Sequence, residues 1–322
     1  MSFKFYLFLI AAFILLALVA VSSGGASISL GDIVKFFTFG ELDETKELIL
    51  TQMRLPRLVL GILIGALLAT SGVVVQSVFL NPLADPYIIG IASAATFGAV
   101  IAYLLGLSDV FYGIFAFLAA SGLSLVIFKL AAHTRSISTL LIVGIAVSSF
   151  LGAFTSFAVY LIGEDSFRIT AWMMGYLGGA NWQKIALLLP PLLFCMAYFY
   201  AKRHELNIIL NGDEEAKSLG LNVEKSKKSL LIVSSLIIGF SVAFTGMIGF
   251  VGLIIPHTLR MALHTASNAV LIPASALTGG VFLVFCDVIA KNALSPVEIP
   301  IGVVTSFFGA PFFLYLAFRK HA

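Results

Sequence analysis

Few residues in this chain can do chemistry, and their positions limit what that chemistry is. Asp287 stands inside an apolar run, four residues before Lys291. A carboxylate in such a run is either a proton or ion site or, at this spacing, half of a local pair on one helix face. Asp85 lies in "NPLADP" (81–86), where Pro82 and Pro86 must break a helix. His257 follows Pro256 and precedes Arg260, with His264 seven residues on. No acid or thiol clusters with these histidines, so no metal ligation is expected. Cys195 and Cys286 sit in separate apolar runs and read as buried small hydrophobes. Arg54 and Arg57 flank Pro56, and Asp213, Glu214 and Glu215 form an acidic step in "GDEEAKSLG" (212–220). No nucleophile is paired with a base, no two acids are paired, and no G-x-x-x-x-G-K-[ST] loop occurs. An enzyme reading has nothing to stand on, and energy for any work must come from another chain or an ion gradient.

The elements that position these residues follow from composition. Of 322 residues, 60% are hydrophobic and only 11% charged, which leaves too little polar surface for a soluble domain. The chain reads as an all-α polytopic membrane protein. Spans of about 20 apolar residues fit 5–22, 58–80, 87–107, 110–130, 137–162, 184–201, 270–290 and 299–318. The stretch 229–264 divides into a full helix, about 229–246, and a short one, about 249–263, making ten.

Lys and Arg set the orientation. The segment 202–228 carries six of them, and with ten spans and an internal N-terminus it is cytoplasmic. Twelve of the nineteen basic residues then lie inside, including Lys4, Lys129, Arg135, Arg260, Arg319 and Lys320. Much of the acid, Glu41 to Glu47 and Glu164 with Asp165, lies outside. The first run also has the flanks of a signal peptide, but dropping it would put the basic loop outside. Both termini are expected in the cytoplasm. Trp172, Tyr176 and Trp182 in the outer segment 164–184 read as interfacial aromatics.

An internal repeat is also expected. Placing 65–82 over 239–256 brings Gly65, Gly72 and Pro82 onto Gly239, Gly246 and Pro256 at one offset of 174. The stretch 90–100 resembles 272–282, and 144–154 resembles 302–312. Five spans per half make the repeat inverted, about 5–162 and 184–318, within one permease domain over 1–322. Small residues at helix contacts explain the glycines without a repeat, though not the shared order.

Longer motifs carry a resemblance. "RLPRLVLGILIGALLATSG" (54–72), "NPLADPYIIGIASAATFGA" (81–99), "LNGDEEAKSLGLN" (210–222), "GFVGLIIPHTLR" (249–260) and "EIPIGVVTSFFGAPFFLYL" (298–316) closely resemble FecCD/BtuC-type permease subunits. These belong to bacterial ABC importers of iron-siderophores, haem and vitamin B12. The resemblance implies ten helices per subunit and a homodimer or close heterodimer with the pathway at its interface. It also implies two cytoplasmic ATPase subunits that carry the ATP, an extracytoplasmic binding protein, and a cytoplasmic (inner) membrane location. No cofactor is expected on this chain, and no nucleic acid partner.

The resemblance also gives residues their roles. The loop 202–228 holds a coupling helix for the ATPase: Gly212, Asp213, Glu214, Glu215, Ala216, Leu219 and Gly220. Its acids suit a first turn, Gly220 a helix C′ position, and Leu219 an apolar knob. Arg54 and Arg57 become docking forks for carboxylates on the binding protein, since Arg suits bidentate pairing. Lys291 falls where a third arginine is expected and makes a poorer fork. On this reading Arg57→Glu lowers transport while the protein still reaches the membrane. Asp287 is a structural acid near Lys291. Asn81, Pro82, Asp85 and Pro86 form a helix break beside the pathway, away from lipid, with Asn81 capping the broken end. Pro256 is its counterpart in the second half, and His257 belongs to the cytoplasmic end of the pathway or the ATPase contact. The competing reading is an ion-coupled secondary transporter, for which Asp287, and Asp85 at the break, are the available intramembrane acids. The sequence leaves the cargo open among chelates and the oxyanions that some branches of the family carry, because a wide apolar path need not hold specific ligands.

Overall fold

The computed structural model describes residues 3–24, 28–40, 42–87, 90–134 and 137–319, so the expected internal residues Arg135 and Lys320 lie outside the described set. The described residues form helices α1 (Phe3–Ser22), α2 (Leu30–Phe39), α3 (Glu44–Ile49), α4 (Leu55–Val78), α5 (Ile91–Leu104), α6 (Asp109–Thr134), α7 (Ile137–Ile162) and α8 (Phe167–Met173). They continue with α9 (Trp182–Ala201), α10 (Arg203–Ile209), α11 (Asp213–Ser218), α12 (Val223–Thr245), α13 (Val251–Leu263), α14 (Asn268–Asn292) and α15 (Ile301–Arg319). A π-turn, Leu50–Arg54, joins α3 to α4.

Six of these helical stretches are long and apolar enough to cross a membrane, among them Glu44–Val78, Val223–Thr245 and Asn268–Asn292. Four shorter apolar ones fall on the remaining expected spans: Leu9–Ser22, Ile91–Leu104, Val251–Leu263 and Ile301–Tyr315. The chain is a polytopic helical membrane protein. α12 starts six residues before the expected 229, because Asn222 caps it, its Oδ1 accepting from Lys225 N at 3.0 Å.

α4 is the central element. It is apolar all round and buried without interruption from Ile64 to Val78, as a helix surrounded by others must be. Two small-residue contacts bring its neighbours close. A Cβ on Gly65 would overlap the carbonyl of Gly279 in α14, and one on Gly72 would overlap the carbonyl of Gly252 in α13. The Ser71 and Ser234 hydroxyls bond each other between α4 and α12. α7 instead exposes a large apolar face that includes Ile145, Phe150, Phe157 and Tyr160. A second, small core joins Val21, Ile28, Ile33 and Leu50 beside α2. α2 opens on a capping box between Ser29 and Asp32. The Ser29 amide, Lys46 at 3.0 Å and the Ser29 hydroxyl hold the Asp32 carboxyl down at about 2.

The expected internal alignment does not match the elements. Residues 65–78 are unbroken helix, whereas 246–250 in their aligned partner is an irregular segment. Pro256, paired with Pro82, lies inside α13 and is buried there. The aligned glycines reflect tight packing contacts, since Gly72 lies against Gly252 and is nowhere equivalent to the chain reversal at Gly246.

Candidate functional site

Two irregular segments face each other. The first follows α4. Leu80 takes a left-handed φ of 52°, Leu80 N bonds Ser77 O at 3.4 Å and Asn81 N bonds Gln76 O at 3.1 Å. This is a Schellman turn with leucine where glycine is usual, at a cost of about 1–3 kcal/mol. Asn81 does not cap α4 with its side chain, contrary to expectation. Its Oδ1 accepts from Leu83 N at 2.9 Å and shapes the following turn. Asp85 does the same one step on, accepting from Tyr87 N at 2.7 Å. The second segment runs from Gly246 to Phe250 and ends on another left-handed non-glycine residue, Phe250, at φ 67°. Its ring is packed against Gly309 of α15.

The segments touch. The Tyr87 hydroxyl donates to Ile248 O at 3.3 Å, and a Cβ on Gly252 would fall 2.6 Å from Pro86 Cγ. Together with α15 they line a concave cleft of about 1130 Å³, whose walls include Leu83, Asp85, Met173, Met247, Phe250 and Phe307. Asp85 thus lines the cleft, and Pro86 is buried against Gly252 in the first turn of α13. Irregular backbone here is tolerated because it is packed in protein beside a cavity.

Pro256 plays a different part from the break assigned to it. A proline inside α13 offers no N–H to the carbonyl of Gly252. Gln76 of α4 supplies the donor, with Nε2 at 3.2 Å from Gly252 O and 3.2 Å from Leu253 O. Arg260 in turn donates to Gln76 Oε1. α13 runs on past Pro256 to Leu263 with the lost donor replaced from the neighbouring helix. His257 is half-buried with its ring 6.0 Å from Phe312.

At the other end of α4, the cations expected to dock a partner are turned inward. Arg57 forks onto Asp287, with Nε at 3.0 Å and Nη2 at 2.8 Å from Oδ1, and its Nη1 reaches Glu298 at 3.0 Å. Lys291 lies 3.4 Å from Asp287, the expected i,i+4 pair, and donates to Ala20 O at 2.9 Å. Arg54 is buried and donates to Ser22 O at 2.9 Å. These side chains tie α1, α4, α14 and the loop before α15 into one rim. None of the three presents a fork outward. Arg57→Glu would place a third carboxylate beside Asp287 and Glu298, so a loss of transport in that variant would report on folding as well as on docking. Asp287 is held by an arginine and a lysine, as a structural acid would be, which leaves Asp85 in the cleft wall as the other acid of the ion-site reading.

The acidic loop folds as expected. α11 spans Asp213–Ser218 and ends in a Schellman turn, with Gly220 N on Lys217 O at 2.9 Å and Leu221 N on Ala216 O at 3.1 Å. Ala216 is buried, Glu214 and Glu215 are exposed, and Leu219 is 62% exposed. Asp213 pairs with Lys227 of α12 at 2.5 Å. Behind it, Glu205 of α10 bonds Lys202 at 2.5 Å and the Ser226 hydroxyl. Burial raises the Glu205 carboxyl, and those two donors outweigh it and hold it below its usual value. The helix is therefore fixed to the membrane helices on one side and bare on the other.

Sequence reasoning missed Gln76, Ser77, Asn207, Asn268 and Glu298. One signal was available: Gln76 is the lone amide in a long apolar helix, and a buried polar group of that kind must find a partner.

A packed helical core, a cleft between two irregular segments and a short exposed helix within the basic loop fit the membrane subunit of a transporter. A match to the FecCD transport family covers residues 10–319, and the chain belongs to that family. It is 43% identical over 278 residues to the cobalamin import system permease protein BtuC of Halobacterium salinarum, covering 85% of this chain and 74% of that one. It is 35% identical over 327 residues to the hemin transport system permease protein HmuU of Yersinia pestis, covering 97% and 95%. A solved structure of an inward-facing metal-chelate type ABC transporter superposes with a TM-score of 0.86 at 31% identity, over 98% of this chain and 99% of that one.

Proposed function

We propose that this chain is the translocation subunit of an ATP-driven importer that takes a metal chelate from an extracytoplasmic binding protein into the cytoplasm. The cargo class is ferric siderophore, haem or cobalamin. The observation that carries this reading is the meeting of the two broken segments, Leu80–Tyr87 and Gly246–Phe250, around a largely apolar cleft. A large chelate needs such a wide, weakly binding wall. On this reading the ten apolar helices all cross the cytoplasmic membrane, with both termini inside, in two inverted halves that correspond at an offset other than 174. Two copies place their clefts face to face as one pathway. α11, with Leu219 as its apolar knob, seats on one of two ATPase subunits, which bind the ATP. The cations Arg54, Arg57 and Lys291 organise the outer rim that the binding protein meets, and a partner that engaged Arg57 would have to replace its carboxylates.

Purification from the native membrane tests this. Retention of an ABC ATPase by the intact chain, lost on Leu219→Asp, is expected. A chain that holds no ATPase and carries no chelate overturns the reading.

A further inference from the structure

The inner end of α14 is capped by another helix. Ser267, at its N-cap position, makes no side-chain bond to the helix start. Instead the backbone N–H of Asn268 donates to Asn207 Oδ1 of α10 at 2.8 Å. The Asn268 side chain adds a second bond to the same oxygen, Nδ2 at 3.0 Å, while its own Oδ1 accepts from the Ser77 hydroxyl at 3.1 Å. Asn268 is fully buried. Three helices thus meet at one amide, and the chain of bonds runs from α10 to the last turn of α4.

Both ends of that chain adjoin the parts that transport requires to move. Ser77 is the residue whose carbonyl Leu80 N bonds, at the left-handed turn that opens the first broken segment. Asn207 sits two residues before the end of α10, and only 210–212 separate α10 from α11. That link has no slack: Asn211 N bonds Ile208 O at 3.1 Å and Gly212 N bonds Ile209 O at 3.0 Å, while Leu206 and Ile209 are fully buried. A displacement of α11 therefore passes to α10. Ser77 and Asn268 are fully buried and Asn207 is half-buried, so the Ser77–Asn268 bond has no water to exchange with and persists or is lost as a unit.

We infer that Asn207, Asn268 and Ser77 form a positioning strut that carries movement of the ATPase-facing helix α11 to the broken segment lining the cleft. This rests on the coupling role proposed for α11. Asn207 touches neither cargo nor ATPase; it acts through Asn268.

The test uses the full complex of permease and co-purifying ATPase in nanodiscs. Leu83, in the cleft wall, is replaced by Cys and labelled with bimane; both native cysteines are buried. The readout is the fluorescence change on adding ATP and vanadate. The intact strut gives a change, and Asn207→Asp, which keeps the acceptor, retains it. Asn207→Leu reduces its amplitude at least fivefold while basal ATP hydrolysis per complex holds within twofold. A general loss of structure would lower both together. Ser77→Ala breaks the far end and is expected to reduce the amplitude as well, which keeps the test decisive if Asn207→Leu fails to assemble. Full amplitude in either assembled variant overturns the strut. A wild-type chain that holds no ATPase overturns the coupling reading itself, which separates the two failures.

Discussion

Gln76 Nε2 stands 3.2 Å from the carbonyl oxygen of Gly252, the acceptor that Pro256 leaves without a backbone donor. The two residues are 176 apart in sequence, so the donor of one helix completes the hydrogen bonding of another. Gln76→Leu strands the carbonyl of Gly252 and removes the acceptor of Arg260. A loss of about 2–3 kcal/mol is expected, the cost of buried groups left without partners. Pro256→Ala restores an N–H to that carbonyl. In the Pro256→Ala background the cost of Gln76→Leu should fall by about 1 kcal/mol. Thermal unfolding of the four proteins of this cycle in detergent measures the coupling, and equal costs in both backgrounds would contradict the pairing.

The helix contacts at α4 make a sharper contrast. Gly72→Ala drives a methyl into the carbonyl of Gly252, and Gly65→Ala into that of Gly279. Both should remove most folded protein from the membrane. Gly122→Ala, with open space around its Cβ, should leave abundance unchanged. Size-exclusion profiles of the three variants check the order.

At the rim around Arg57 and Asp287, cost should follow burial. Arg57→Glu places three acids together and is expected to cost about 3–5 kcal/mol, as an uncompensated buried charge does. Asp287→Asn leaves Arg57 facing Lys291 and should be nearly as severe, because both partners are buried. Glu298, a third exposed, should cost about 1 kcal/mol as Glu298→Gln. Melting temperatures in nanodiscs should fall in that order.

The short helix α11 separates folding from association. Leu219→Asp replaces an exposed apolar side chain and should leave expression and melting unchanged while ATPase retention drops at least tenfold. Ala216→Glu forces a charge into a fully buried position and should instead unfold the loop. Retention of ATPase by both variants would remove α11 from the interface.

What the sequence disclosed follows physical range. The helices, the α11 cap at Gly220 and the Asp287–Lys291 spacing are local, set by hydropathy and by neighbours within a turn or two. The fork of Arg57 is invisible in the sequence because its partners, Asp287 and Glu298, lie 230 and 241 residues away. The same holds for Gln76 with Gly252 and for Asn207 with Asn268. The internal alignment misled for a related reason. Glycine recurs where helices must touch, so Gly65 and Gly72 record contacts with Gly279 and Gly252 in place of a repeat register.

The central claim is that ATP drives a chelate through the cleft. Proteoliposomes holding the permease with its ATPase and binding protein, offered cyanocobalamin, haemin and a ferric siderophore in turn, measure it directly. The account predicts accumulation of at least one chelate that requires ATP hydrolysis, survives collapse of proton and sodium gradients, and is lost with Leu219→Asp. Uptake that follows an imposed ion gradient without ATP would contradict it.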